Sequence, residues 1–171
     1  MEDPAPDHID TILAQWRRER PDLEVAPIGY LGRLFRVAEL ADKALARMLA
    51  DHGLQPGWFD VLAALRRAGA PYELTPTQLT AATIVTSGGL TKRLDRMEEA
   101  GLVVRRPDPT DRRGTRVRLT RQGRTAIDRA VQDHVRNEEV LLRRLSPTDR
   151  RTLDRLLRRL LADFETAATD D

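Results

Sequence analysis

The 171-residue chain has no cysteine. That excludes disulfides, thiolate metal centres and thiol-based redox sensing together. Histidine is nearly absent too. His8, His52 and His134 fall on three separate predicted helices, without the i,i+3 or i,i+4 pairing of a metal site. Lysine is almost missing, with Lys43 and Lys92 the only two among 29 basic residues. A GC-rich genome produces the same arginine excess, so the total arginine count carries little information and only local clustering does. No apolar run is long enough to span a membrane, and the acidic start Met1-Glu2-Asp3-Pro4 does not read as a signal peptide, which predicts a cytoplasmic protein.

Catalytic patterns are lacking as well. Ser87 stands in Thr-Ser-Gly-Gly, which is not a nucleophile elbow, and Gly88-Gly89 has no phosphate-loop lysine. The carboxylate pairs Glu98-Glu99 and Glu138-Glu139 are adjacent, so on a helix they diverge and are expected to be solvated. The chain is expected not to be an enzyme and to need no cofactor or metal. What remains is 40% hydrophobic residues and a net charge of only +2, enough for a core in one compact chain.

The informative stretch runs from Thr75 to Thr120. Thr75-Pro76 is a helix start, with a capping hydroxyl and a proline in the first turn, and the β-branched run Thr83-Ile84-Val85 ends that helix quickly. Thr86-Ser87 starts a second helix, in which Leu90, Leu94 and Met97 share one face and Lys92, Arg93 and Arg96 fall elsewhere. Gly101 stops it. Two tightly joined helices, the second with a buried stripe and a basic face, are the layout of a helix-turn-helix whose second helix enters a major groove. Leu102–Arg106 and Thr115–Leu119 then read as strands around the turn-rich Pro107–Gly114. Six arginines (105, 106, 112, 113, 116, 118) against Asp108 and Asp111 give this hairpin a formal +4, and Arg112 and Arg113 lie at its tip. The hairpin is read as a wing that reaches a minor groove or phosphates.

On the flanks, a first helix is expected from Asp7 to about Arg20, with Ile9, Ile12, Leu13 and Trp16 on one face. A long helix follows from Ile28 to about His52, then one opening at Gln55-Pro56-Gly57 with Phe59, Val61, Leu62 and Leu65 inward, and an extended piece, Pro71–Leu74, that pairs with the wing as a third strand. Thr120 caps a long helix, and Ser146-Pro147-Thr148-Asp149 breaks it and starts a last one, carrying Leu153, Leu156, Leu157, Leu160, Leu161 and Phe164. The terminal helices hold more apolar surface than a small winged domain needs, which suggests interlocking with a second copy about a two-fold axis. The expected fold class is mostly α with a small β-wing, a dimeric winged helix-turn-helix. Its parts are a lid helix (1–26), a dimerisation region (27–52 and 120–171) and a DNA-binding lobe (53–119). DNA contacts are expected from Thr86, Ser87, Thr91, Lys92, Arg96, Arg112 and Arg113.

The runs Thr86–Val103, Asp108-Pro109-Thr110-Asp111-Arg112-Arg113 and Val117–Gly123, above all the Asp-Arg-Arg tip followed by a Leu-Thr-x-x-Gly exit, resemble the MarR family of transcription regulators. The resemblance spans nearly the whole chain and implies a dimeric regulator whose DNA affinity answers to a small ligand or chemical signal. The extra N-terminal helix with its tryptophan is similar to that of the urate-responsive, PecS-like branch. That likeness implies ligand-binding roles for Trp16, Asp60 and Arg93, and signal transmission through Arg105. A flat monoanion such as urate suits an indole, a guanidinium fork and a hydrogen-bonding carboxylate. Some relatives with this helix answer to citrate- or aconitate-like tricarboxylates instead, so urate, a related purine and a tricarboxylate all stay open. The expected protein is a homodimeric repressor of palindromic double-stranded operator DNA, released by a small anionic effector and without membrane association. The alternative is a winged-helix protein-interaction dimer that does not read DNA.

Overall fold

A computed structural model describes residues 5–55, 57–83, 89–111 and 113–169. The chain divides into two compact units, residues 1–47 and 48–171. In the first unit, α1 (His8–Glu19) opens with a reciprocal capping box: Asp10 N–H donates to Asp7 Oδ1 at 3.0 Å and Asp7 N–H donates to Asp10 Oδ2 at 2.8 Å. The long helix α2 (Ala26–Asp51) begins here, two residues earlier than the expected Ile28. Along it the large apolar residues Tyr30, Leu31, Phe35, Val37 and Leu40 are exposed.

The second unit contains the last turn of α2 and the winged lobe. Helix α3 (Trp58–Arg67) begins one residue after Gly57, which takes a left-handed conformation at φ 81°. Gln55 and Gly57 of the expected start thus precede the helix, and Pro56 lies outside the described residues. Strand β1 (Glu73–Leu74), helix α4 (Pro76–Ala82), helix α5 (Leu90–Glu99), and strands β2 (Val103–Pro107) and β3 (Thr115–Leu119) complete the lobe. Thr75 and Gln78 cap α4 reciprocally, as Thr-Pro at a helix start suggests. The sheet has the order β1-β3-β2, all antiparallel, so the short Glu73–Leu74 piece is indeed the third strand.

Val61, Leu62, Leu65, Leu79, Met97 and Val117 are fully enclosed in one core with Val103 and Ile127. This core joins α3, α4, α5, the sheet and α6 (Arg121–Leu141). The Leu-Thr-x-x-Gly exit has a steric reason. Thr120 Oγ1 accepts from Gly123 N–H and donates to Gly101 O at 2.6 Å, drawing the start of α6 onto Leu102. A Cβ at Gly123 would lie 1.9 Å from Leu102 O, so only glycine fits there.

Beyond the lobe the apolar faces are open. Val131, Val135, Val140 and Leu141 on α6 are exposed, and so are Leu153, Leu156, Leu157, Leu160, Leu161 and Phe164 on α7 (Pro147–Thr169). The Ser146–Asp149 restart is built as its sequence reads, with Asp149 N–H donating to Ser146 Oγ and Ser146 N–H to Asp149 Oδ2, each at 3.2 Å. Among the described residues no helix is long and apolar enough to cross a membrane.

Candidate nucleic-acid interface

Helix α5 hides one face and shows another. Leu94 and Met97 are buried in the lobe core, which leaves Thr91, Lys92 and Arg96 exposed to solvent. Thr86 and Ser87, the expected start of this helix, lie outside the described residues. The structured helix runs from Leu90, with Gly89 at its N-cap.

The wing tip is a pre-formed turn. Asp108, only 8% exposed, accepts at one oxygen from the Thr110 hydroxyl (2.7 Å) and N–H (2.8 Å), and at the other from Arg116 Nε (2.9 Å). Those bonds, the Thr110 hydroxyl foremost, hold its carboxyl down to a pKa of about 2. Asp111 Oδ1 accepts from Arg113 N–H and Asp111 O from Gly114 N–H, both at 2.9 Å. Both acids of the hairpin therefore organise its backbone, and Arg113 is displayed on the surface. Arg112 lies outside the described residues. Sequence reasoning read Asp108 as a charge within a turn-rich segment; its place in Asp-Pro-Thr-Asp was the signal that also marked it as a side-chain acceptor.

A second cluster ties the wing to α5. Arg105 on β2 donates from Nη1 to Glu98 Oε2 (2.8 Å) and from Nη2 to Thr91 O (3.2 Å), and pairs with Asp95 at 2.7 Å. Its N–H donates to Glu98 Oε1 at 2.7 Å. This corrects the expectation that Glu98 is simply solvated: α5 ends beside β2, and only the fold brings the strand to the helix face. The Arg105 N–H, opposed by desolvation and aided by the guanidinium, holds the Glu98 carboxyl below its ordinary value. Desolvation works against the charged Arg105, yet the bonds to Glu98 and Asp95 outweigh it and raise its pKa. The other carboxylates expected to be solvated, Glu99, Glu138 and Glu139, are exposed; Glu138 lies 3.2 Å from His134 Nε2, and Glu139 accepts from Arg150 at 2.8 Å.

Arg93 behaves differently from its neighbours on α5. It is half-buried and its guanidinium lies on the backbone of Gly57, where a Cβ would stand 2.9 Å from Arg93 Cζ. Asp60 is in the first turn of α3, three residues on, and half-buried. Arg93 therefore lies at the same end of α3 as Asp60. Trp16 sits on α1 in the other unit, 43% exposed. Behind Asp60, the Phe59 ring lies 4.5 Å from that of His134, and His52 Nε2 stands 3.0 Å from Asp133, the residue next to His134.

A helix pair with a cationic outer helix, followed by a basic two-stranded wing that β1 extends to three strands, defines a winged-helix DNA-binding regulator. The comparisons with known proteins specify it further. The MarR family model matches residues 52–114. HTH-type transcriptional regulator PecS of Dickeya dadantii is 42% identical over 152 residues, covering 89% of this chain and 92% of that protein. Among solved structures, a mutant MarR from Escherichia coli complexed with operator DNA superposes with a TM-score of 0.70 at 32% identity, covering 80% of this chain and 97% of the other. Bordetella bronchiseptica BpsR, solved to explain regulation of its DNA binding by 6-hydroxynicotinic acid, gives a TM-score of 0.67 at 25% identity, with 78% and 98% covered. The chain belongs to the MarR family of DNA-binding transcription regulators.

Proposed function

We propose that the protein is a homodimeric repressor that grips a palindromic operator with α5 and the wing and is released by a small anionic effector. The observation that carries the DNA reading is the exposed Thr91-Lys92-Arg96 face of α5 together with a turn that displays Arg113. A winged dimer used only for protein contacts has no need of that cationic pairing. Thr86, Ser87 and Arg112 join the interface by their positions in the chain. Two such units about a two-fold axis would present recognition helices to half-sites roughly one helical turn apart. The unmatched apolar faces of α2, α6 and α7 support residues 27–52 and 120–171 as the dimer body, with 53–119 as the reading lobe and 1–26 as a lid.

Replacing Arg96 or Arg113 with alanine should weaken operator binding by roughly 1–3 kcal/mol, and each lost phosphate contact should lower the salt slope by about one. Gel shifts across a salt series measure both quantities. Unchanged affinity and slope in both variants would overturn the DNA reading.

For the effector we propose Trp16, Asp60 and Arg93, with Arg105 carrying the signal. An anion on the Arg93 guanidinium would stand near the Asp60 carboxylate and repel it, altering how α5 sits on α3. Arg105 joins α5 to β2 through Asp95 and Glu98, so a shift of α5 would reach the wing. The regulation of BpsR by an aromatic acid supports a flat anion such as urate, with a citrate-like tricarboxylate as the other chemistry to test. Either can change DNA affinity only by preferring the non-binding state, typically by about 1–3 kcal/mol. Urate or citrate should raise the melting temperature and release operator DNA at similar concentrations, and Trp16→Phe should shift both. A Trp16→Phe protein that responds as the parent does would place the pocket elsewhere.

A further inference from the structure

We propose that α1 is latched onto α2 before any effector arrives, by a glycine seat and a single guanidinium, so that the effector meets a pre-docked helix instead of recruiting one. The effector part of this proposal rests on the site assigned to Trp16 above; the latch itself does not.

The seat is the run Gly29-Tyr30-Leu31-Gly32 near the start of α2. Glycine inside a helix weakens it, because the unfolded chain has more freedom to lose. Here the two bare positions admit α1. Leu13, 5% exposed, occupies the space over Gly29, where a Cβ would come within 2.9 Å of Leu13 Cδ1. Ile9 Cδ1 lies 3.4 Å from where a Cβ on Gly32 would stand. Leu13 and Ile9 are one helical turn apart on α1, and Gly29 and Gly32 one turn apart on α2, so the two helices meet along one short stripe.

The guanidinium is Arg33, next to the seat. Its Nε donates to Asp7 Oδ2 at 2.8 Å, and its Nη2 donates to Asp7 Oδ1 at 3.1 Å and Asp10 Oδ1 at 2.6 Å. These are not two arbitrary surface acids. Asp7 is the N-cap of α1 and Asp10 its N3 residue, already joined in the capping box. Only a formed first turn holds both carboxylates where one guanidinium fork can reach them, so Arg33 recognises the folded start of α1 and ties folding of that turn to docking. Residues 1–47 form one compact unit, as a docked α1 requires. Trp16, one turn beyond Leu13, is fixed by the same latch while its ring stays 43% exposed and open to a ligand.

The test uses the full chain, with urate and citrate as probes. The readouts are tryptic cleavage after the exposed Arg17 and Arg18 of α1 without effector, and the probe concentration that releases half the operator. Cleavage within a helix requires it to open locally, so its rate reports docking. Arg33→Ala should speed cleavage about tenfold. It should raise the half-release concentration by a similar factor with release still complete at saturation, since apparent affinity falls with the docked fraction. Operator affinity without effector should not change. Gly29→Leu, which crowds Leu13 out of the seat and also presses on Arg33 Nη1, 3.3 Å from the added Cβ, should act in the same direction, and Arg33→Lys, a point charge without a fork, should fall between.

Cleavage of the parent as fast as the variants, or cleavage unmoved in both Arg33→Ala and Gly29→Leu, would overturn the latch. Faster cleavage with an unchanged half-release concentration would uphold the latch but overturn the claim that the effector meets α1. If neither probe releases operator from the parent, the effector reading itself fails for these two anions and the cleavage rates alone decide the latch.

Discussion

In the winged lobe, Val61, Leu62, Leu65, Leu79 and Met97 are 0% exposed, whereas the six large apolar side chains from Leu153 to Phe164 on α7 are 38–58% exposed. Both regions are rich in leucine and arginine. The difference lies in what faces them. Around the lobe core, α3, α4, α5, α6 and the sheet converge from several directions and leave no side open. Helix α7 has an apolar stripe of equal quality that nothing among the described residues of the single chain closes. Full burial of a large apolar side chain is worth about 1.5–3 kcal/mol, so each half-exposed residue forgoes on the order of 1 kcal/mol. The lobe is therefore complete as a folding unit, while the long helices are complete only in an assembly, which is the physical case for a second copy about a two-fold axis.

The largest test of this contrast is to remove α7. Truncation after Leu145 should leave a lobe that still unfolds cooperatively but sediments as a monomer, and operator affinity should drop by about 1,000-fold or more toward the non-specific level. A truncated protein that stays dimeric with full affinity would erase the distinction between the two regions. A pair of point variants sharpens it. Leu62→Ala, in the closed core, should cost roughly 2–5 kcal/mol of unfolding free energy in urea, much the same at every protein concentration. Leu160→Ala should cost about 1 kcal/mol or less in the monomer, with an added loss that grows as the protein is diluted through its dimer equilibrium.

The smallest effect concerns the wing turn and appears only in acid. The Asp108 carboxyl is depressed from 3.8 to about 2, so its stabilising contribution is fully present above the ordinary carboxylate range and is lost as pH falls through the folded-state value. A carboxyl-detected NMR titration should show Asp108 still charged at pH 3, where exposed aspartates are largely protonated. Titration at the ordinary value would mean that the turn is not held as the hydrogen bonds describe.

Local structure was legible where its causes are local. Thr75 with Pro76 and Gln78, Thr120 with Gly123, and Ser146 with Asp149 each satisfy backbone groups within a few residues, so the helix starts can be read from consecutive letters. Alternation along Thr115–Leu119 likewise placed Val117 and Leu119 in the core. The site was less legible. Arg93 was indistinguishable from Lys92 and Arg96 by spacing, yet it turns in upon Gly57, a residue 36 positions away. Glu98 read as solvated because its partner, Arg105, lies on the next element beyond a chain reversal. The late start of α3 behind Gly57, on which Arg93 lies, and the pairing of His52 with Asp133 depend on distant segments in the same way.

By itself, then, the sequence determined where helices and strands begin, that a basic wing follows a tandem helix unit, and that the terminal stripes exceed what one lobe can bury, because caps, periodicity and composition act over a few residues. Only the tertiary structure decided which of the wing's arginines remain for DNA. Arg105 is held by Asp95 and Glu98, and Arg116 by Asp108 and Glu73, while Arg106 and Arg113 are left exposed. A cation's availability is set by the acids that folding brings within hydrogen-bond reach, and for Arg105 and Arg116 most of those acids come from other elements of the lobe.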